Sequence, residues 1–490
     1  MRIGGLLVNL NPAYQTKELA FCMNQCEMKM IISATEQRKG IDCLKILDKA
    51  RSKVRSLETV VLLQPGSWEE FLEGHHAVSE AALAAAEAAC QFDDPVNLQY
   101  TSGTTGLPKG VTLTHHNILN NAYFTGERMH YTEKDRVCIP VPFFHCFGIV
   151  AGNLGCTTHG SCIVIPHESF DPGLTLQAVQ DEKCTSLYGV PTMFIAELRH
   201  PNFNNFDLSS LRTGVMGATV CPADVMKQVQ TKMYMKEITI CFGMTETSPT
   251  ATQTTIGTPF EKQMTTVGTV QDHLEIKIVD PMTGDVVPIG QEGEVCTRGY
   301  SVMLKYWDAP EATSSVIDAA RWMHTGDKGS MDEEGYLTCT GRIKDIIIRG
   351  GENISPKEVE EYLYGHERIS EVQVIGVPDE RLGEEVMAWV KLVDGCTATE
   401  EELKNFCKGQ ISHYKVPRYW KFVKEFPMTL SGKIRKIEMR EVSAKELGLE
   451  HLVAAKEEKE TSRNDEETSG KRVREEIGED EAAGKKSKIE

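Results

Sequence analysis

Eleven residues, Tyr100-Thr101-Ser102-Gly103-Thr104-Thr105-Gly106-Leu107-Pro108-Lys109-Gly110, hold four Ser/Thr hydroxyls, three glycines and a lysine. A loop of this composition can wrap a polyphosphate. Bare backbone N–H groups approach closely, hydroxyls donate hydrogen bonds, and the ammonium adds charge. The spacing G-x-x-x-x-G-K-[ST] is absent and no helix follows directly, so this is not a Walker A loop. The alternative is a flexible hairpin with no ligand, and the density of hydroxyls, glycines and charge argues against it. Thr101, Ser102, Gly103, Thr104, Thr105, Gly106, Leu107, Pro108 and Lys109 are therefore candidate phosphate-binding residues.

The elements around the loop must hold it. Val96, Leu98 and Tyr100 alternate into it as one strand, and Val111-Thr112-Leu113-Thr114 leads out as another. His115 and His116 then fall at a strand end and helix cap, where structural roles are expected. Upstream, Gly5-Leu6-Leu7-Val8-Asn9-Leu10 reads as a buried strand with a turn at Asn11-Pro12. Helical spacing follows from Lys17, then strands at Met30–Ile32 and Val60–Leu63, then an Ala-rich helix over Ala77–Cys90. Strand and helix signals alternate through residue 240, which predicts α/β architecture with parallel sheets.

Near residue 340 the pattern changes. Gly341-Arg342-Ile343-Lys344-Asp345-Ile346-Ile347-Ile348-Arg349-Gly350-Gly351 sets a short apolar strand between charges and a glycine pair. Ser355-Pro356-Lys357-Glu358 then starts a helix, with Ser as N-cap and Pro at the first helical position. These signals predict a large domain over 1–341 and a small α+β domain over 342–447. A charged tail over 448–490 is too poor in large apolar groups to fold. Its basic clusters, Lys471–Arg474 and Lys485–Lys488, read as a solvated tail before they read as an import signal.

Composition excludes several classes. The 490 residues are 40% hydrophobic and 25% charged, the balance of a soluble globular protein with more than one domain. Against 71 Asp and Glu stand 53 Lys and Arg, a net charge of -18, which argues against nucleic acid or an anionic membrane as the main partner. No apolar run is long enough to span a bilayer. The 15 cysteines include no C-x-x-C pair, which removes support for a zinc ribbon or thioredoxin-type site. Cys22 and Cys26 read as packed thiols, and reduced thiols fit an intracellular setting. The first residues lack the features of a secretory signal or a transit peptide.

The glycine-rich loop resembles the phosphate loop of the adenylate-forming superfamily, which includes acyl-CoA synthetases, luciferases, coumarate ligases and adenylation domains. Further matches follow in order: Pro142-Phe143-Phe144-His145, Phe242-Gly243-Met244-Thr245-Glu246, His324-Thr325-Gly326-Asp327, Gly341-Arg342-Ile343-Lys344-Asp345 and Leu430-Ser431-Gly432-Lys433. The sequence around Asn9–Pro12, Pro191-Thr192 and Tyr414–Pro417 is similar to the medium-chain acyl-CoA synthetases of that group. The resemblance implies a multi-sheet α/β large domain and a small mobile α+β domain.

It also implies roles. Glu246 would hold Mg2+ and Thr245 the α-phosphate of ATP. Phe242 and Gly243 would flank adenine, with Gly217-Ala218-Thr219 on its other side. Asp327 would take the ribose hydroxyls and Arg342 the ribose or phosphate. Lys344 matches the hinge, His145 would meet the acyl carboxylate, and Lys433 would stabilise charge during adenylation. The implied reaction joins a fatty acid to coenzyme A through an acyl-adenylate, releasing pyrophosphate and then AMP. An aryl- or hydroxycinnamate-CoA ligase is the second expectation, and a non-catalytic binding or regulatory relative the third.

Relatives of this kind carry further strands and helices before the strand with which this chain opens. The resemblance therefore implies an amino-terminally shortened large domain with sheet edge left uncovered. It points to the mitochondrion, and a genuine start at Met1 points instead to the cytoplasm. The expected partners are small molecules, with the oligomeric state left open.

Overall fold

A computed structural model describes residues 3–452 except 36, 39–40, 102–107, 218–222 and 430–432, with 37, 38 and 41 described by backbone alone. The expected tail lies almost wholly outside the described residues. The chain divides into two compact units. The first comprises Met1–Ile343 and Met428–Lys433; the second comprises Lys344–Pro427 and the chain from Ile434.

The largest sheet of the first unit runs in the order Thr269–Val270, Thr250–Gln253, Glu237–Gly243, Thr213–Gly217, Ser186–Gly189, Arg136–Cys138, Cys162–Val164. The last five are mutually parallel, and the first two are antiparallel additions at one edge. Helices Pro172–Asp181, Pro191–Leu198 and Ala223–Lys232 supply Leu176, Phe194 and Met226 to a core with Leu187, Met216 and Ile238. Every residue of Ser186–Gly189 and Thr213–Gly217 is buried, as strands covered on both faces must be.

A second sheet carries the glycine-rich loop. Its order is Leu7–Asn9, Pro95–Thr101, Lys109–Thr114, Lys305–Tyr306, with the middle pair an antiparallel hairpin. A third sheet is wholly antiparallel, Leu274–Val279, Gly293–Gly299, Met323–Met331, Leu337–Arg342. The second unit has a five-stranded sheet in which Ile369–Asp379 and Gly383–Leu392 form the long central pair. Helix Pro356–Tyr364 packs Val359 and Leu363 against it, and helix Lys436–Glu446 packs Met439.

Three local expectations need correction. The opening strand is only Leu7–Asn9, and Leu7 is 41% exposed, because the strand ends its sheet and pairs on one side alone. The Ala-rich helix begins at Glu80, not Ala77: Ser79 Oγ accepts from the Ala82 N–H at 3.1 Å and fixes the start there. His115 and His116 are neither strand end nor cap. They open helix His115–Glu127, whose cap is Thr114, bonded reciprocally to Asn117 at 3.1 and 2.7 Å.

Arg128 pins the antiparallel edge of the large sheet. Its buried guanidinium donates to the carbonyls of Gln253 at 2.6 Å, Thr269 at 3.0 Å and Val270. Burial lowers its pKa, and Asp272 at 3.9 Å partly offsets that cost. Arg128→Met keeps the apolar stem and orphans these acceptors. It is expected to lower stability by roughly 3 kcal/mol, read as an earlier urea midpoint for the first unit's unfolding.

Candidate active site

The hairpin Pro95–Thr101/Lys109–Thr114 closes the base of the glycine-rich loop by pairing Thr101 with Lys109 and Tyr100 with Gly110. Thr101 Oγ1 lies 3.5 Å from the Lys109 carbonyl. Pro108 and Lys109 are described; Ser102, Gly103, Thr104, Thr105, Gly106 and Leu107 lie outside the described residues.

Strand Lys305–Tyr306 adds to this hairpin, with Tyr306 opposite Val111. The Lys109 ammonium then sits 5.1 Å from the Tyr306 ring centroid, and the Tyr306 hydroxyl donates to Glu246 Oε1 at 2.7 Å. Burial first, and the Glu246 charge next, raise the phenol pKa, so the hydroxyl remains a donor at neutral pH. Among the described residues no hydrogen bond reaches Glu246 Oε2. A buried carboxylate with one oxygen tied and one open is a fitting donor for a hard cation.

Glu246 and Thr245 occupy the short turn Thr245–Thr247, which follows strand Glu237–Gly243. The reversal demands glycine at 243, where a Cβ would stand 1.8 Å from the Pro249 carbonyl oxygen. Thr247 Oγ1 locks the turn by accepting from the Met244 N–H at 3.0 Å and donating to the Pro249 carbonyl at 2.7 Å. Phe242, half-buried, packs against Ile278, Val295 and Leu337. Gly217 pairs with Cys241, whose sulfur would lie 2.8 Å from any Cβ at 217. Ala218 and Thr219 lie outside the described residues.

His145 stands beside this turn through Cys146, whose sulfur is 3.7 Å from Thr245 Oγ1. The Phe147 N–H donates to His145 Nδ1 at 3.1 Å, so in the neutral ring Nε2 carries the hydrogen. Enclosure by the protein, then the nearby Lys433 charge, pushes the imidazolium pKa down to about 3. The ring is neutral at physiological pH. Desolvation likewise raises the Cys146 thiol to about 11, which makes it a packing group and not a nucleophile. Lys433 belongs to the first unit with Met428–Lys433. Its N–H bonds Thr429 Oγ1 at 3.0 Å and its carbonyl accepts from the Thr429 N–H at 2.8 Å.

Asp327 lies nearby on strand Met323–Met331, only 7% exposed, with Arg342 Nε 3.3 Å from its Oδ1. The two are cross-strand partners, and the Arg342 charge also lowers the pKa of Tyr306. The turn before Asp327 is tightly held. Gly326 takes φ +71°, its N–H donates to Glu294 Oε1 at 3.0 Å, and the Asp327 N–H donates to Thr325 Oγ1 at 3.1 Å. Lys344, exposed, is the first residue of the second unit.

Lys109, Glu246, Thr245, His145 and Lys433 thus converge, with Asp327 and Arg342 close to them. Sequence reasoning missed Tyr306, which the Lys305-Tyr306-Trp307 run does not flag, and Glu294, whose role depends on a strand pairing thirty residues away in sequence. No helix among the described residues is long and apolar enough to cross a membrane.

Comparison with known proteins extends this picture. Residues 1–307 match the AMP-binding enzyme family and residues 358–433 the AMP-binding enzyme C-terminal domain. The chain is 43% identical over 470 residues to the mitochondrial medium-chain acyl-CoA ligase ACSF2 of Danio rerio, covering 91% of this chain and 77% of that protein. It is 40% identical over 467 residues to the acyl-CoA ligase sidI of Aspergillus fumigatus, covering 90% and 79%. ATP-bound MatB from Rhodopseudomonas palustris superposes with a TM-score of 0.76 at 29% identity, over 90% of this chain and 84% of that one. With the α/β sheets and the ordered motifs, these matches establish that the chain belongs to the AMP-binding enzyme family, among its AMP-forming acid–thiol ligases, the acyl-CoA synthetases.

Proposed function

We propose that the protein ligates medium-chain fatty acids to coenzyme A through an acyl-adenylate, with Lys433, Thr245, Glu246 and His145 at the reacting centre. The observation that carries this reading is the neutral His145 beside Lys433. A fatty acid brings one negative charge on an apolar chain, and the site supplies a matching pair: one cation, and apolar surroundings that include Phe143, Phe147 and Val190. The 43% identity to a medium-chain acyl-CoA ligase supports the chain-length class.

Lys109 and the loop it closes would hold the β- and γ-phosphates, Thr245 the α-phosphate and Asp327 the ribose. Phe242, Gly243 and the Gly217 strand end would receive adenine. Mg2+ held on Glu246 would supply charge neutralisation at the phosphates. The carboxylate attacks the α-phosphorus and pyrophosphate leaves, while Lys433 stabilises the developing charge where it forms. His145 keeps Nε2–H available to orient the carboxylate without adding a second full charge. Thioester formation would follow a rearrangement about Lys344, with the thiol of coenzyme A displacing AMP.

Carboxylate-dependent ATP–pyrophosphate exchange tests the reading directly. Octanoate should support exchange better than acetate, palmitate or benzoate, and Lys433→Ala should lower it by on the order of 100-fold or more. Exchange with aromatic acids alone would replace the fatty-acid reading, and no exchange from a cooperatively melting protein would overturn it. Tyr306→Phe removes the donor on Glu246 Oε1 and should raise the Mg2+ concentration needed for half-maximal exchange several-fold, leaving the octanoate KM nearly unchanged.

Stability should carry the mark of His145. The unfolded chain protonates this imidazole below about pH 6.5, while the native chain keeps it neutral to about pH 3. Its contribution is therefore present above pH 6.5 and falls away as pH drops through that window. In His145→Gln the urea midpoint should decline less steeply between pH 6.5 and 4 than in the native protein.

A further inference from the structure

Beside the proposed ribose turn lies a group of side chains that the ligation chemistry does not use. Glu294 and Cys296 sit two apart on strand Gly293–Gly299 and so face the same side, and His324 is the cross-strand partner of Cys296. The Glu294 carboxylate, the Cys296 sulfur and a His324 ring nitrogen all lie within 4.8 Å of one another. His324 Nδ1 is 2.7 Å from Glu294 Oε2 and 3.5 Å from Cys296 Sγ. A carboxylate oxygen only accepts, so Nδ1 carries a hydrogen in this arrangement, and in the neutral ring Nε2 is the lone-pair nitrogen.

We propose that Glu294, Cys296 and His324 form a binding site for a thiophilic divalent cation, with Zn2+ the best match and its fourth position open to water. The geometry fits the ion. With Zn–S about 2.3 Å and Zn–N about 2.05 Å, tetrahedral coordination sets sulfur and nitrogen about 3.5 Å apart. That is the separation seen between Cys296 Sγ and His324 Nδ1. The carboxylate needs a small adjustment, because a tetrahedral oxygen–nitrogen edge is about 3.3 Å. The one-sulfur, one-nitrogen, one-oxygen donor set suits zinc and disfavours Mg2+, which takes oxygen and water.

The proton balance is simple. The cation replaces the hydrogen on Nδ1, that hydrogen moves to Nε2, and the Cys296 thiol loses its proton to solvent. Starting from the neutral ring and the protonated thiol, one proton is released per ion bound. Burial first, and the Glu294 charge next, push the Cys296 thiol up, a cost that the charge of the bound cation has to offset. Lys277, opposite Cys296 on the neighbouring strand, favours the thiolate, and Asp318 opposes it. The Lys277 ammonium rests 4.5 Å from the Trp322 ring centroid.

Occupancy has a consequence for nucleotide binding, and this part rests on the ribose role proposed for Asp327. Glu294 spends its second oxygen, Oε1, on the Gly326 N–H at 3.0 Å. Widening the Glu294–His324 contact from 2.7 Å toward a metal-bridged edge pulls on the residue before Asp327. Zinc and ATP should therefore weaken each other's binding by the same factor.

The test begins with reduced, chelator-treated full-length protein titrated with Co2+. One equivalent should produce a thiolate-to-cobalt charge-transfer band and the intense visible bands of tetrahedral cobalt, and Zn2+ should bleach both. Cys296→Ser and His324→Gln should each abolish the spectrum while keeping the native urea transition. No band in the native protein, or a band that survives both substitutions, overturns the site. ATP affinity should then fall several-fold on zinc loading in the native protein and stay constant in Cys296→Ser. A cobalt spectrum as expected with unchanged ATP affinity leaves the metal site standing and overturns the coupling to Asp327.

Discussion

The arrangement around the site turns on how the Glu246 side chain is partnered in a nearly enclosed position. A buried carboxylate without partners would take up a proton or destabilise the fold. Here the Tyr306 hydroxyl satisfies one oxygen, and the Lys109 ammonium over the same phenol ring adds a favourable field. Those three residues come from three separate stretches, so one interaction ties the glycine-rich hairpin, the turn after strand Glu237–Gly243 and the short strand at Lys305 into one register. The Met303 N–H adds a bond to the Glu246 carbonyl at 2.8 Å, which fixes the backbone of the same turn.

His145 solves a related problem by the opposite means. Where Glu246 is held by hydrogen-bonding partners, His145 is kept neutral by enclosure and by a neighbouring cation. The bond from the Phe147 N–H then selects the tautomer, which a neutral ring in apolar surroundings needs if its other nitrogen is to serve as a donor. A charged imidazolium here would stand against Lys433 in a poorly solvated space. The sequence places a histidine after Pro142-Phe143-Phe144; only the fold shows that it is uncharged.

That contrast explains which parts of the molecule were legible in advance. The parallel α/β sheet followed from alternating apolar strands and helices, and the loop at Tyr100–Gly110 from its own composition, because both signals are local. Gly243 and Gly326 likewise mark turns whose backbone requires glycine, by close approach in one case and positive φ in the other. Tyr306 on Glu246 and Glu294 on the His324–Asp327 turn were hidden, since each pairing joins residues thirty to sixty positions apart and depends on strand register. The helix start at Glu80 was misplaced for a smaller reason: alanine spacing outlined the helix, but the Ser79 hydroxyl decides where it begins.

Charge gives the last constraint. A chain with net charge -18 that binds an anionic nucleotide and an anionic acid must set its cations at the point of contact, because the molecule as a whole repels both. Lys109, Lys433 and Arg342 are those cations in the proposed reaction, and two of them already answer to buried acidic chemistry: Lys109 over the phenol bonded to Glu246, and Arg342 on Asp327. Arg342 Nε stands 3.3 Å from Asp327 Oδ1, and the Arg342 side chain remains more than half exposed. A ribose hydroxyl that donates to Asp327 would compete with that ion pair and free Arg342 for the phosphates. Nucleotide binding would then redistribute a charge that the pairing with Asp327 already supplies, with no new cation drawn into an acidic protein.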